Sequence, residues 1–142
     1  MNVGDIMTGN VISICEDEPV SAAARLLKRS NIGSLPVRDS RGKLKGIITD
    51  RDIVLRCVAD GEDPDDMRVG EIMSRNLVTV DASEDAEKAA KKMGRNRVRR
   101  LPVTEGGILV GLVALGDLAR NGDYMMETAE TLSEISANFR RS

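Results

Sequence analysis

The 142-residue chain has no histidine and no tryptophan, one tyrosine, one phenylalanine and two cysteines. Each shortage closes a class of chemistry. Without histidine there is no Ser-His-Asp triad, no Cys-His dyad and no histidine metal site. The two aromatics, Tyr124 and Phe139, both lie near the C-terminus, so the rest of the chain offers no platform on which successive nucleic-acid bases stack. Cys15 and Cys57 stand far apart and outside any C-x-x-C spacing, which argues against zinc or thioredoxin-like chemistry and leaves two ordinary half-buried thiols as the simpler reading. Apolar runs are only a few residues long and the formal net charge is −2. Neither a membrane span nor a secretory signal is read, and a soluble, cytoplasmic protein is expected.

What the chain does contain, it contains twice. VGDIMTGNVISICEDEP from Val3 returns as VGEIMSRNLVTVDASED from Val69, and LPV at Leu35 to Val37 returns at Leu101 to Val103, at a constant spacing of 66 residues. Beyond the turn at Arg41 to Gly42 the spacing falls to 65, so that Gly46, Asp52 and Ile53 match Gly111, Asp117 and Leu118. Two related units, each too small for a sufficient core, are expected to pack about a pseudo-twofold axis. Function is then sought at the seam.

Within each copy the hydrophobic period changes from strand to helix. Val11 to Ile14 reads as a strand, followed by Val20, Ala23, Ala24 and Leu27 as a buried helical stripe with Asp17 as N-cap and Pro19 in the first turn. The second copy repeats this with Leu77 to Val80, a Ser83 cap, and Ala86, Ala89, Ala90 and Met93. Two further strands follow, Leu35 to Arg38 and Leu44 to Thr49, joined by the turn Asp39 to Gly42. Their counterparts are Leu101 to Thr104 and Ile108 to Ala114. A second helix, capped by Thr49 or Asp50, closes the first copy through Ile53, Val54, Cys57 and Val58.

The fold class expected is α/β (α+β), with two β-α-β-β-α repeats packed through their sheets. Boundaries fall at 1–60 for the first repeat, 61–68 for an acidic linker, 69–122 for the second repeat and 123–142 for an amphipathic C-terminal helix. The linker lacks the ligand spacing of a calcium loop and reads as a solvated connector. Met125, Ala129, Leu132, Ile135 and Phe139 share one face of the last helix, which either caps its own core or joins a twofold dimer.

The sharpest local motif is GIITDRDI, Gly46 to Ile53. Here a strand runs into a helix, and Thr49 and Asp52 sit three apart across the first turn. A helix start attracts anions, and an aspartate there can accept both hydroxyls of a ribose. The plain alternative is that Thr49 and Asp52 only cap the helix.

Taken together, the repeat, the GIITDRDI turn and the LPV strands resemble the cystathionine beta-synthase (CBS) domain in its tandem, Bateman-module form, over roughly residues 3 to 120. The resemblance implies a stand-alone regulatory module without catalytic residues, a metal or a required cofactor. It implies clefts for adenosine-containing ligands, in which the Ser/Thr-x-x-Asp turn of one copy holds ribose and phosphate and strands of the sister copy cradle the base.

On that crossed arrangement the two copies are unequal. The second copy keeps Asp117 but has Ala114 where the first has Thr49. Before LPV the first copy has Gly33-Ser34 and the second Arg99-Arg100, from which a basic side chain can reach phosphates. One well-equipped site is therefore expected from Thr49, Asp52, Asn76, Leu77, Val78, Val98, Arg99 and Arg100, with Leu77, Val78 and Val98 walling the base and Asn76 near its edge. A weaker one is expected from Asp117, Ile12, Ile32, Gly33 and Ser34. Arginine pairing ranks AMP, ADP or ATP above S-adenosylmethionine, whose sulfonium is cationic. Arg51 faces solvent or a terminal phosphate.

The expected partners are an adenine nucleotide, a second copy in a homodimer, and an effector protein whose identity the sequence does not give; no membrane is implied. Two rival readings stand beside this one. The run Arg95-Asn96-Arg97-Val98-Arg99-Arg100 matches a nucleic-acid patch, against which stand the overall acidic charge and the aromatic-free repeats. The other is a ligand-free dimerisation adaptor with an idle Thr/Asp turn.

Overall fold

The computed structural model describes residues 1–120 and Ile135, and over these the chain is a mixture of helices and strands. In order they are α1 (Val3–Ile6), β1 (Ile14–Cys15), α2 (Val20–Ser30), β2 (Ser34–Arg38), β3 (Leu44–Thr49), α3 (Asp50–Ile53), α4 (Val69–Ile72), β4 (Val80–Asp81), α5 (Ala86–Asn96), β5 (Arg100–Glu105), β6 (Ile108–Ala114) and α6 (Leu115–Ala119). A π-helical turn, Val54–Val58, extends α3. The strands make two three-stranded sheets, β1-β2-β3 and β4-β5-β6. In each, the first strand runs parallel to the middle one and the third antiparallel to it. The expected α+β class and the repeated strand, helix, strand, strand, helix order are both present.

The chain divides into two units, Ile12–Leu77 and Met1–Val11 with Val78–Ser142. These are not the two sequence repeats. Each unit takes its opening segment from the other repeat, so α4 belongs with β1 to α3, and α1 belongs with β4 to α6.

In the Ile12–Leu77 unit, α2 buries Val20, Ala23 and Leu27 in a core shared with Leu35, Val37, Ile48, Ile53, Cys57, Val69 and Ile72. The α4 segment is stitched on by backbone bonds from Val20 N to Met67 O (2.8 Å), Val69 N to Glu18 O (2.9 Å) and Gly70 N to Glu16 O (2.9 Å). Just past α4, Ser74 pairs with Ile47 on the outer edge of β3, at 2.8 and 2.9 Å. That closes an edge that would otherwise offer unpaired amides.

The other unit is built alike. Here α5 buries Ala86, Ala89, Ala90 and Met93 with Val3, Val80, Leu101, Val103, Val113 and Leu118, and Ile135 joins this core. Thr8 pairs with Leu112 on the outer edge of β6, both bonds at 2.9 Å. Apart from Ile135, the helix expected over 123–142 lies outside the described residues.

The first strand of each repeat is shorter than its alternating pattern predicts, and a proline is the reason. Ile47 turns its amide and carbonyl outward to Ser74, so its partner Pro36 faces β1 with the backbone nitrogen that carries no hydrogen. The β1–β2 ladder therefore starts only beyond it, at Ile14↔Val37 and Cys15↔Arg38. Pro102, opposite Leu112, sets the same limit, and β4 starts at Val80↔Val103. Of the expected strands Val11 to Ile14 and Leu77 to Val80, only Ile14 and Val80 are in ladders. Side chains partner part of the remainder: Arg38 Nε donates to Ser13 Oγ at 3.1 Å and Lys92 Nζ to the Thr79 carbonyl at 2.8 Å.

The helix starts also differ from expectation. The N-cap of α2 is Pro19, whose side chain makes no cap bond, and not Asp17. That of α5 is Asp85, which accepts the Glu87 amide at 3.0 Å; Ser83 instead donates its amide and hydroxyl to Asp81 in the preceding turn, at 2.9 and 2.7 Å. In both repeats the acidic residues after the first strand form a turn before the helix begins, which moves the cap toward the C-terminus. No helix among the described residues is long and apolar enough to cross a membrane.

Candidate functional site

The two strand-to-helix turns carry the candidate chemistry. At the end of β3, Thr49 is the N-cap of α3, with extended backbone (φ −117°, ψ 162°). Its Oγ1 accepts the Asp52 amide and its own amide is taken by Asp52 Oδ2, both at 3.0 Å. This reciprocal capping box gives both Thr49 and Asp52 a structural role. Among the described residues, the second oxygen of Asp52, Oδ1, takes no hydrogen bond or ion pair. Asp52 is half-buried, so that oxygen can still be reached.

The residues before β2 complete this turn. The Asp50 amide donates to the Gly33 carbonyl at 3.0 Å and Ser34 pairs with Thr49 in the sheet. Gly33 and Ser34 are exposed beside it, Ile32 is half-buried at the core margin, and Ile12 is exposed. Arg51 is exposed and enters no ion pair among the described residues.

The second turn repeats the backbone geometry with a different outcome. Ala114 caps α6 with φ −114° and ψ 157°, but has no oxygen to offer the Asp117 amide. Only the other arm survives, the Ala114 amide to Asp117 Oδ2 at 2.7 Å. The Leu115 amide donates to the Arg99 carbonyl at 2.8 Å, and Arg100 pairs with Ala114. Asp117 is buried, and its Oδ1 is paired with the Arg120 guanidinium. Arg120 had no place in the sequence-based site. Its signal was available, because the 65-residue spacing sets it opposite Leu55.

Within its own unit, each turn gathers the residues just before the middle strand of its sheet. Gly33 and Ser34 stand beside Thr49, while Arg99 and Arg100 stand beside Ala114 and Asp117. Arg95, Arg97, Arg99 and Arg100 are all exposed and form no ion pair among the described residues. Val78 and Val98 are half-buried and pack on the core of their unit. Asn76 is exposed and Leu77 half-buried in the irregular stretch before β4. No group of three or more His, Cys, Asp or Glu residues able to hold a metal occurs among the described residues.

Two groups outside these turns are shifted, each for its own cause. Burial, with Glu62, Asp63 and Asp60 nearby, pushes the Cys57 thiol up. In the β2–β3 turn the Lys43 amide and then the Arg41 amide hold Asp39 below its ordinary carboxylate range. Neither group belongs to a turn of the candidate site.

Comparison with known proteins gives this geometry a family. The CBS domain model matches residues 3–58 and 69–123. The chain is 40% identical over 135 residues, 95% of each chain, to the CBS domain-containing protein YhcV of Bacillus subtilis. Among solved structures, Hypoxic Response Protein I with two coordinated zinc ions matches at a TM-score of 0.75 and 36% identity, covering 84% of this chain and 98% of that one. The CBS domain pair of MJ0100, in complex with 5′-methylthioadenosine and S-adenosyl-L-methionine, matches at a TM-score of 0.68 and 31% identity, covering 87% and 96%. With its two matched segments spanning most of its length, the chain belongs to the CBS domain family and carries two such domains in tandem.

Proposed function

We propose that the protein is a cytoplasmic, non-catalytic sensor that binds an adenosine-containing ligand through the Thr49–Asp52 turn and relays its presence to a partner protein. The observation that carries this reading is the open Oδ1 of Asp52. Its carboxylate is fixed by the capping box through one oxygen and offers the other to a ribose hydroxyl. The MJ0100 domain pair, which holds two adenosine derivatives, supports the ligand class. Arg99 and Arg100, exposed and not ion-paired among the described residues, are the proposed phosphate contacts. They rank AMP, ADP or ATP above S-adenosylmethionine. Asn76, Leu77, Val78 and Val98 are proposed to surround the base, and the turn at Asp117 to form the weaker site with Ile12, Ile32, Gly33 and Ser34.

A homodimer is part of the proposal. Val54, Leu55 and Val58 are exposed on one short helical stretch and supply an apolar face for a second copy. Ligand binding regulates only if it favours one conformation or assembly over another.

Calorimetry with AMP, ADP, ATP and S-adenosylmethionine tests the reading on the native protein and on Asp52→Asn, which keeps an oxygen for the Thr49 amide. Loss of a charged hydrogen-bond acceptor lowers affinity about ten- to a hundredfold. Pairing of the turn with the basic residues is tested by a double-mutant cycle between Asp52→Asn and Arg100→Ala. A second reading, a ligand-free adaptor, is favoured by the capping box itself, since it accounts for both Thr49 and Asp52. Absence of binding by every adenosine compound would favour it over the ligand reading.

A further inference from the structure

Asp117 and Asp52 occupy the same place in the two repeats and are left in different states. Asp117 uses Oδ2 for the Ala114 amide and Oδ1 for Arg120, whereas Asp52 uses Oδ2 for the Thr49 amide and keeps Oδ1 open among the described residues. The position that supplies the Asp117 Oδ1 partner differs between the repeats, Arg120 in the second and Leu55 in the first. A leucine at that place has nothing to offer a carboxylate.

We infer that Arg120 is an internal latch that occupies the ribose-binding oxygen of the second half-site and keeps that site weak until the arginine is displaced. The inference rests on the proposed reading of these turns as ribose sites. Arg120 mimics the incoming diol: it presents N–H donors to the oxygen that ribose hydroxyls would otherwise reach. Its side chain is 74% exposed while that of Asp117 is 7% exposed. The guanidinium therefore lies over the carboxylate from the solvent side and can swing away without unpacking the core. An ion pair with one partner this exposed is weak and screened by salt, which suits a latch that a ligand opens. The missing hydroxyl at Ala114 and the latch at Arg120 act in the same direction. Together they make the two sites of one chain differ in affinity, so that the protein responds over two ligand ranges.

The test uses the full chain, with Arg120→Leu installing the residue of the first repeat and adenosine as an uncharged probe that no phosphate contact confuses. In calorimetry the native protein shows one Asp52-dependent event. Arg120→Leu adds or strengthens a second event about two- to fivefold, and Asp117→Asn in the same chain removes that gain. Raising salt strengthens the second event in the native protein and not in Arg120→Leu. The inference is overturned if the Asp52-dependent event is intact and Arg120→Leu leaves the second unchanged. It is also overturned if Arg120→Leu weakens AMP at the Asp117 site, since Arg120 would then be a phosphate anchor. If neither protein binds adenosine or AMP at all, it is the ribose-site reading that fails, and the latch with it.

Discussion

Gly46 lies so close to Ser74 that a Cβ built on it would stand 2.6 Å from the Ser74 carbonyl oxygen, and 2.8 Å from Met73 Sδ. The glycine that opens the GIITDRDI motif thus serves the docking of the segment after α4 onto β3. Gly111 does the same for the segment after α1, where a Cβ would meet Met7 Sδ and stand 2.9 Å from the Thr8 carbonyl. Gly46→Ala and Gly111→Ala are each expected to destabilise by about 1–3 kcal/mol through overpacking. Gly9→Ala, where a Cβ meets nothing within 4 Å, should stay within about 0.5 kcal/mol. Urea midpoints of the three variants check this.

The two turns should respond in opposite senses to an exchange of their capping residues. Thr49→Ala removes the oxygen that accepts the Asp52 amide and should cost about 1 kcal/mol. Ala114→Thr supplies the missing acceptor to the Asp117 amide at a backbone of almost the same φ and ψ, and should gain up to about 1 kcal/mol. Equilibrium unfolding of both variants measures the pair.

Two turn aspartates set an acid limit. Asp39 is held low by the Lys43 and Arg41 amides, and Asp81 by the Ser83 amide and then its hydroxyl. A carboxylate whose pKa is lower folded than unfolded adds stability above the unfolded value, and that stability is lost as pH falls through the folded one. Native stability should therefore decline below about pH 4. The double variant Asp39→Asn/Asp81→Asn, which keeps an acceptor at each place, should lose less between pH 5 and pH 3 when thermal midpoints are compared.

Cys57 is fully buried, donates to the Glu62 carbonyl at 3.6 Å and has its thiol pushed up by burial and by Glu62, Asp63 and Asp60. Cys15 is half-buried. With a thiol-specific disulfide reagent at pH 8, one equivalent should react with the native protein, at Cys15, and the second only in denaturant. Rapid reaction of both in the native protein, or rapid reaction of native Cys15→Ser, would contradict the assigned burial.

Much of this molecule was legible in the sequence because it is written twice. Agreement between copies located β2, β3, β5 and β6 and the apolar faces of α2 and α5, where hydrophobic period and turn chemistry point the same way. The short first strands were not legible from alternation. Their length depends on which side of β2 the nitrogen of Pro36 faces, and that follows from a pairing between Ile47 and Ser74 distant in sequence. For the same reason the exchange of α1 and α4 between units was hidden. Asp17 and Ser83 looked like caps by residue type, but the turns they belong to end two residues later.

The candidate site was legible as residue types and less so as bonds. Thr49 and Asp52 were found by their motif, yet their mutual capping box needed the backbone to be seen. That Asp117 lacks the hydroxyl partner Thr49 gives Asp52 is legible from Ala114 standing at the matching position. The pairing of Asp117 with Arg120 lies one helical turn beyond the motif, where comparison with Leu55 reveals it.

The Thr49–Asp52 turn is the proposed adenosine-ligand site, better equipped than its counterpart at Asp117. Calorimetric titration of the native protein, Asp52→Asn and Asp117→Asn with AMP tests it most directly. Asp52→Asn should weaken the tighter binding event about ten- to a hundredfold while Asp117→Asn leaves it unchanged. Weakening by Asp117→Asn with no effect of Asp52→Asn would contradict it.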